Sequence, residues 1–226
     1  MPADSGAPLA PPEARAVFGP ALGQAERYAA LLAGPAVERG LIGPRETARL
    51  WDRHLLNCAA VAGLIPGRCS VIDLGSGAGL PGIVIAMLRP DSQVVLLEPM
   101  ARRVAFLEEC LRVLDLGNAV VCRARAEDVT GRLAGDVVTA RAVAPMERLA
   151  GLALGLVRPG GLVLAMKGTG AAQELARAEP VLRRLGVRDA AVVQAGSGRV
   201  SPPPAVIRLT AGPGGAARER PGRAAG

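Results

Sequence analysis

The chain has 226 residues, half of them apolar and 21% charged, with 27 basic against 20 acidic groups; this suits one domain able to bury a core of its own. No apolar run approaches the roughly 18 uncharged residues of a membrane span, and no basic segment leads into an apolar one at the N-terminus, so neither a span nor a secretory leader is expected. One histidine, and four cysteines (Cys58, Cys69, Cys110, Cys122) without a C-x-x-C pair, argue against a zinc site and suit a reducing cytosol.

Residues 1–12 are small and Pro-rich, and are expected to be disordered. A helical extension over 13–66 follows. Pro20 opens one helix that Gly34 and Pro35 end. Pro44 opens a second, with Leu50, Trp51, Leu55, Cys58 and Ala62 along one face. From residue 67 the pattern alternates. Strands are predicted at 70–75, 93–99, 119–124, 136–143 and 161–168. Helices are predicted at 80–90, 101–117, from 127, at 145–161 and at 171–186, the last kinked by Pro180. Apolar runs at 190–196 and 205–210 predict a closing hairpin. Strands alternating with helices give an α/β fold: a doubly wound, mostly parallel, Rossmann-like sheet over residues 67–210 behind the helical extension. The last stretch, 211–226, reads as a disordered basic tail. Residues 183–226 hold eight Arg against Asp189 and Glu219, whereas the rest of the chain is nearly neutral.

The sharpest signal is Val71-Ile72-Asp73-Leu74-Gly75-Ser76-Gly77-Ala78-Gly79-Leu80-Pro81-Gly82. Gly75, Gly77 and Gly79 follow the first strand, where glycines let the backbone turn tightly and approach a ligand. Residues 77–82 also fit the G-x-G-x-x-G dinucleotide fingerprint. Glu98, after the second strand, can accept both hydroxyl protons of a ribose in either a dinucleotide or S-adenosylmethionine. Asp73 carries the choice between them. An unpaired carboxylate beside the loop repels a pyrophosphate and suits the ammonium and sulfonium of S-adenosylmethionine.

The run DLGSGAGLPGIVIAMLRP, followed by LLEP, RVAFLEE, RAE, TARAVAP and MKG, resembles the RsmG (GidB) family. The upstream LWDRHLLNC resembles that family's N-terminal helical element, and the similarity spans roughly residues 20–210. The resemblance implies a class I methyltransferase that uses S-adenosylmethionine to methylate N7 of a guanine in a decoding-region loop of 16S ribosomal RNA, with the small subunit or its assembly intermediate as partner. It implies that Gly75 and Leu80 line the cofactor loop, that Glu98 holds the ribose, and that Ala126 and Glu127 bracket the adenine. It places Arg141 at the end of the fourth strand near the methyl donor. Two departures stand out. The family often has Asp where Glu98 stands, and many members are more basic over the segment corresponding to residues 13–60.

The rest of the sequence agrees with that chemistry. Methyl transfer is an in-line displacement in which alignment supplies much of the rate. N7 of guanine offers a lone pair and no proton, so it needs no general base. None of the four cysteines follows a proline, as a cytosine-C5 nucleophile usually does. ARAVAP stands where an exocyclic-amine methylase usually has Asp/Asn-Pro-Pro-aromatic. His54 and Lys167 are candidates for contacting substrate, with a packed histidine and a surface lysine as the plainer readings. A small-molecule methyltransferase would need an enclosed apolar pocket instead, and a non-catalytic nucleotide-binding module would prefer NAD.

Overall fold

The apolar strand segments assemble into one seven-stranded sheet in the computed structural model, which describes residues 6–196, 198 and 200–214. The strands are β1 (Ser70–Leu74), β2 (Gln93–Leu97), β3 (Ala119–Cys122), β4 (Gly135–Arg141), β5 (Val157–Lys167), β6 (Val187–Gln194) and β7 (Ala205–Ala211). Their order is β3-β2-β1-β4-β5-β7-β6. The first five are parallel to their neighbours, and β7 lies antiparallel between β5 and β6. The expected hairpin forms, with its second strand inserted inside the sheet. Chain direction away from the centre reverses between β1 and β4, so the crevice beyond their carboxyl ends is where such a sheet takes its ligand.

Nine α-helices are described: α1 (Pro12–Phe18), α2 (Leu22–Ala33), α3 (Pro35–Glu38), α4 (Leu56–Ala62), α5 (Gly82–Leu88), α6 (Ala101–Leu114), α7 (Ala126–Val129), α8 (Met146–Leu154) and α9 (Ala171–Arg184). Alternate strand residues serve the two faces. Val71, Val94, Leu96, Val137 and Leu164 pack with α1–α6. Ile72, Leu74, Leu97, Val138 and Val163 pack with α8 and α9. The helical extension therefore shares its core with the sheet. Among the described residues, no helix is long and apolar enough to cross a membrane.

Several expectations need correction. Helical structure begins at Pro12, not Pro20, because Ala14 and Phe18 are buried and anchor an extra turn. Residues 7–12 are not loose: Ala7 and Ala10 pack on the core, and the Pro8 carbonyl accepts the Trp51 indole N–H at 2.8 Å. The predicted helix 145–161 stops at Leu154, and β5 has begun by Val157. The Pro-Gly-Gly at 159–161 is no helix cap. Pairing with β4 jumps from Gly135↔Val157 to Val137↔Leu162 there, and a Cβ on Gly161 would sit 2.6 Å from the Asp136 carbonyl oxygen. The predicted helix 101–117 ends at Leu114, where Asp115 takes the left-handed conformation (φ 53°). Helix α9 runs through Pro180. β7 continues to Ala211, and the tail expected beyond it lies mostly outside the described residues.

The segment after Pro44 is helical throughout but not uniformly so. A 3-10 turn over Pro44–Arg49 passes into a π-helical turn over Leu50–Leu55, which feeds α4. The Leu56 N–H donates to the Trp51 carbonyl, five residues back. This wider turn leaves Leu50, Trp51, His54 and Leu55 all buried.

Candidate active site

The glycine loop joins β1 to α5 at the crevice. Gly75, Gly77 and Gly79 have φ of 69°, 59° and 97°, a region that L side chains rarely adopt. Most of the loop's backbone donors are engaged inside the protein. Gly75 and Ser76 N–H donate to the Leu97 carbonyl, Gly79 and Leu80 to Ser76, and Ile83 to Gly79. Gly77 N–H donates to Glu98 Oε2 at 3.0 Å, and Gly82 N–H to Asp73 Oδ2 at 3.0 Å.

Asp73 therefore does not play the part that the sequence suggested. Its carboxylate is wholly buried beneath the loop, with Oδ1 accepting the Thr139 hydroxyl at 3.0 Å and Oδ2 accepting Gly82 N–H. It cannot face a cofactor directly. It still bears on cofactor choice, by another route. A dinucleotide's pyrophosphate needs free N–H groups from the loop and the first helical turn. Here Asp73 and Glu98 fill two of those positions with protein carboxylates.

Burial, working against its hydrogen bonds and nearby Arg141, pushes the Asp73 carboxyl from 3.8 up to about 6. A folded-state value above the unfolded one makes the protonated acid favour folding. That contribution is complete below the unfolded value and is lost as pH rises through the folded value, a difference of about 3 kcal/mol. Asp73→Asn should abolish this dependence. Urea titrations should show the variant gaining about 2–3 kcal/mol on the wild type between about pH 4 and pH 7. A difference that stays flat with pH would mean that Asp73 is not the titrating group.

A cleft of about 360 Å³ opens beside the loop, lined by Gly75, Glu98, Ala126 and Glu127 among others. The structure thus brings four of the sequence-selected residues to one cavity. Ala124, Ala126, Val143 and Leu152 give it apolar walls, and Arg103, Arg125 and Arg148 are also in its lining. Glu98 is 1% exposed and accepts N–H groups from Gly77 and Met100, each at 3.0 Å. A carboxylate offers about four acceptor positions, so capacity remains for a ribose diol. A nucleoside fits this volume and donor set. Gly77 reaches the cleft only through Glu98. Gly79 and Leu80 lie behind it, where the Tyr28 hydroxyl donates to the Ala78 carbonyl at 2.7 Å.

Arg141 closes β4 on the opposite face, turned toward the helical extension. Its Nη2 meets His54 Nδ1 at 2.5 Å, and its Nη1 donates to Cys58 Sγ at 3.5 Å. His54 Nε2 is 2.9 Å from Glu46 Oε2. His54 is 8% exposed, so it is a partner of Arg141 rather than a surface contact for substrate. Lys167 is also corrected. Its Nζ donates to Glu174 Oε1 at 2.7 Å and to the Ala144 carbonyl at 3.0 Å, so its charge is already paired. Glu46, Cys58, Tyr28 and Thr139 were not singled out in the sequence as site residues. The spacing of 46, 54 and 58 along one helical segment, and of 139 and 141 along one strand face, is the signal that could have found them.

Comparison with known proteins bears on this arrangement. Residues 21–201 match the family described as GidB, rRNA small subunit methyltransferase G. The chain is 55% identical over 197 residues to the ribosomal RNA small subunit methyltransferase G of Thermobifida fusca, covering 87% of this chain and 83% of that one. It is 52% identical to the protein of the same name from Salinispora arenicola, covering 94% and 96%. Among solved structures, a SAM-dependent O-methyltransferase from Thermotoga maritima aligns with TM-score 0.55 at 15% identity, over 70% of this chain and 65% of that one. Cofactor-bound Rv0187 from MTB aligns with TM-score 0.54 at 22% identity, over 85% and 89%. These last two speak to the fold alone. With the family match spanning most of its length and relatives above 50% identity, the chain belongs to the GidB family of ribosomal RNA small subunit methyltransferases.

Proposed function

We propose that this chain methylates N7 of a guanine in 16S ribosomal RNA, using S-adenosylmethionine, in the cytosol. Family membership carries the enzyme class, a methyltransferase of small-subunit ribosomal RNA. The observation that carries the cofactor is the glycine loop whose N–H groups at Gly77 and Gly82 are already held by Glu98 and Asp73. That loop suits a ligand without phosphate, and the adjoining cleft suits a nucleoside. S-adenosylmethionine supplies an electrophilic methyl group when bound.

The chain's own work is binding and alignment. Glu98 is oriented by two backbone donors to take the ribose hydroxyls, while Ala126 and Glu127 flank the base. Arg141 holds a positive charge at the end of β4, and the guanidinium N–H groups not taken by His54 and Cys58 can meet a carboxylate or phosphate. No side chain is assigned as a general base, because N7 carries no proton to remove. Arg125 and Arg148 around the cleft favour a polyanionic substrate over a small apolar one, whereas Arg103 is paired with Glu98 at 3.5 Å.

The test is mass-spectrometric mapping of 16S ribosomal RNA from cells with and without the gene. A 7-methylguanine present only with the gene is expected; an unchanged methylation map would sink the assignment. Calorimetric titration tests the cofactor separately. Tighter binding of NAD than of S-adenosylmethionine would favour a nucleotide-binding module.

A further inference from the structure

Arg141 is held by two groups of the helical extension, and the chemistry of one contact is fully determined. A guanidinium has five N–H donors and no acceptor. The ring atom facing it, His54 Nδ1, must therefore present a lone pair. A neutral imidazole then carries its proton on Nε2, which donates to Glu46 Oε2 at 2.9 Å. Burial, followed by the charge of Arg141, lowers the His54 pKa below 6.5 against the pull of Glu46.

From this geometry we infer that His54, its tautomer set by Glu46, is the positioning residue for Arg141. The inference rests on the reading that Arg141 acts in methyl transfer. A carboxylate directly against the guanidinium would orient it but cancel its charge. An imidazole between the two orients it and leaves the charge available. The second anchor is neutral as well, because burial pushes the Cys58 thiol up to about 11. His54 and Cys58 lie four residues apart on the segment where the π-helical turn enters α4. Single π turns of this kind concentrate at functional sites.

Other charged or titratable groups face this cluster. Arg53 shares Glu46 with His54, its Nη1 lying 3.1 Å from Oε1. Asp73 and Tyr28 act on Arg141 from β1 and α2. Protonation of Nδ1 would convert an acceptor into a donor facing a cation and release the guanidinium. An acid limb in the kcat profile follows. Asp73 titrates nearby, so the limb must be assigned by substitution.

His54→Asn and His54→Gln separate the roles. Asparagine places an oxygen where Nδ1 stands but cannot reach Glu46. Glutamine can reach Glu46 and has nothing at Nδ1. With thermal midpoints matched to wild type, His54→Gln should lower kcat about tenfold or more, with little change in the KM for S-adenosylmethionine. His54→Asn should keep at least about a third of kcat, which is about 0.7 kcal/mol or less in barrier, and should lose the acid limb.

Equal losses in the two variants, or an acid limb surviving in His54→Asn, would overturn the inference. Full activity in Arg141→Ala would instead overturn the reading beneath it. One further measurement needs no variant. His54 is the chain's single histidine, so ¹⁵N-histidine labelling gives one ring spectrum. An unprotonated Nδ1 and a protonated Nε2 are expected at neutral pH; the reverse tautomer would end the proposal whether or not either variant folds.

Discussion

Arg141→Ala is expected to lower kcat by about two orders of magnitude, close to 2.7 kcal/mol of barrier, while the protein stays folded. The side chain is only partly buried, and its two side-chain anchors, His54 and Cys58, belong to a helix that many other contacts hold. Losing a hydrogen bond of this kind costs about 1 kcal/mol, or a few degrees in thermal midpoint for a domain of this size. The loss in rate should exceed the loss in stability. Methylation of a 16S fragment measured beside circular dichroism melts separates the two. Near-wild-type turnover would remove Arg141 from the site.

Gly82→Ala should be strongly damaging, destabilising by about 3 kcal/mol or more. The cause is space rather than backbone angle. A Cβ there would lie 2.3 Å from Leu96 Cδ2, 2.6 Å from Asp73 Oδ2 and 2.8 Å from Asp73 Cβ. Leu96 and Asp73 are both fully buried, so neither has room to retreat. Moving Asp73 would also leave a buried carboxylate and the Thr139 hydroxyl short of partners. Gly77→Ala provides the contrast. Its φ is positive, but the nearest atom to a new Cβ is 3.8 Å away, so it should cost about 1 kcal/mol. Urea titrations of the two variants test the ordering, and equal midpoints would refute the packing argument.

The central strands and helices were readable because the middle of the sheet is buried on both faces, so β1, β2 and β4 are apolar runs bounded by Gly, Pro or charge. Errors fell where tertiary contacts override local pattern. Residues 7–12 look like a loose leader until Trp51 supplies a donor for Pro8. Pro-Gly-Gly at 159–161 looks like a helix end until β4 is alongside. Within the site, Gly75, Glu98, Ala126 and Glu127 were legible from their places after strand ends. Asp73 was legible as important but not in its role, since sequence cannot tell a carboxylate facing a ligand from one beneath a loop. That His54 and Cys58 are partners of Arg141 was not legible. They are 83 and 87 residues away and meet it only because the helical extension and the sheet share one core.

That shared core has an optical consequence. The chain has one tryptophan and one tyrosine, and both sit in the N-terminal helices: Trp51 edge-on to Phe18 with ring centroids 6.0 Å apart, and Tyr28 under the glycine loop. Intrinsic fluorescence therefore watches the helices, while the strands are silent and visible only in the far ultraviolet. If the two bands trace one denaturation curve, the molecule melts as a single cooperative unit, and the lone indole becomes a built-in gauge of the whole enzyme's integrity.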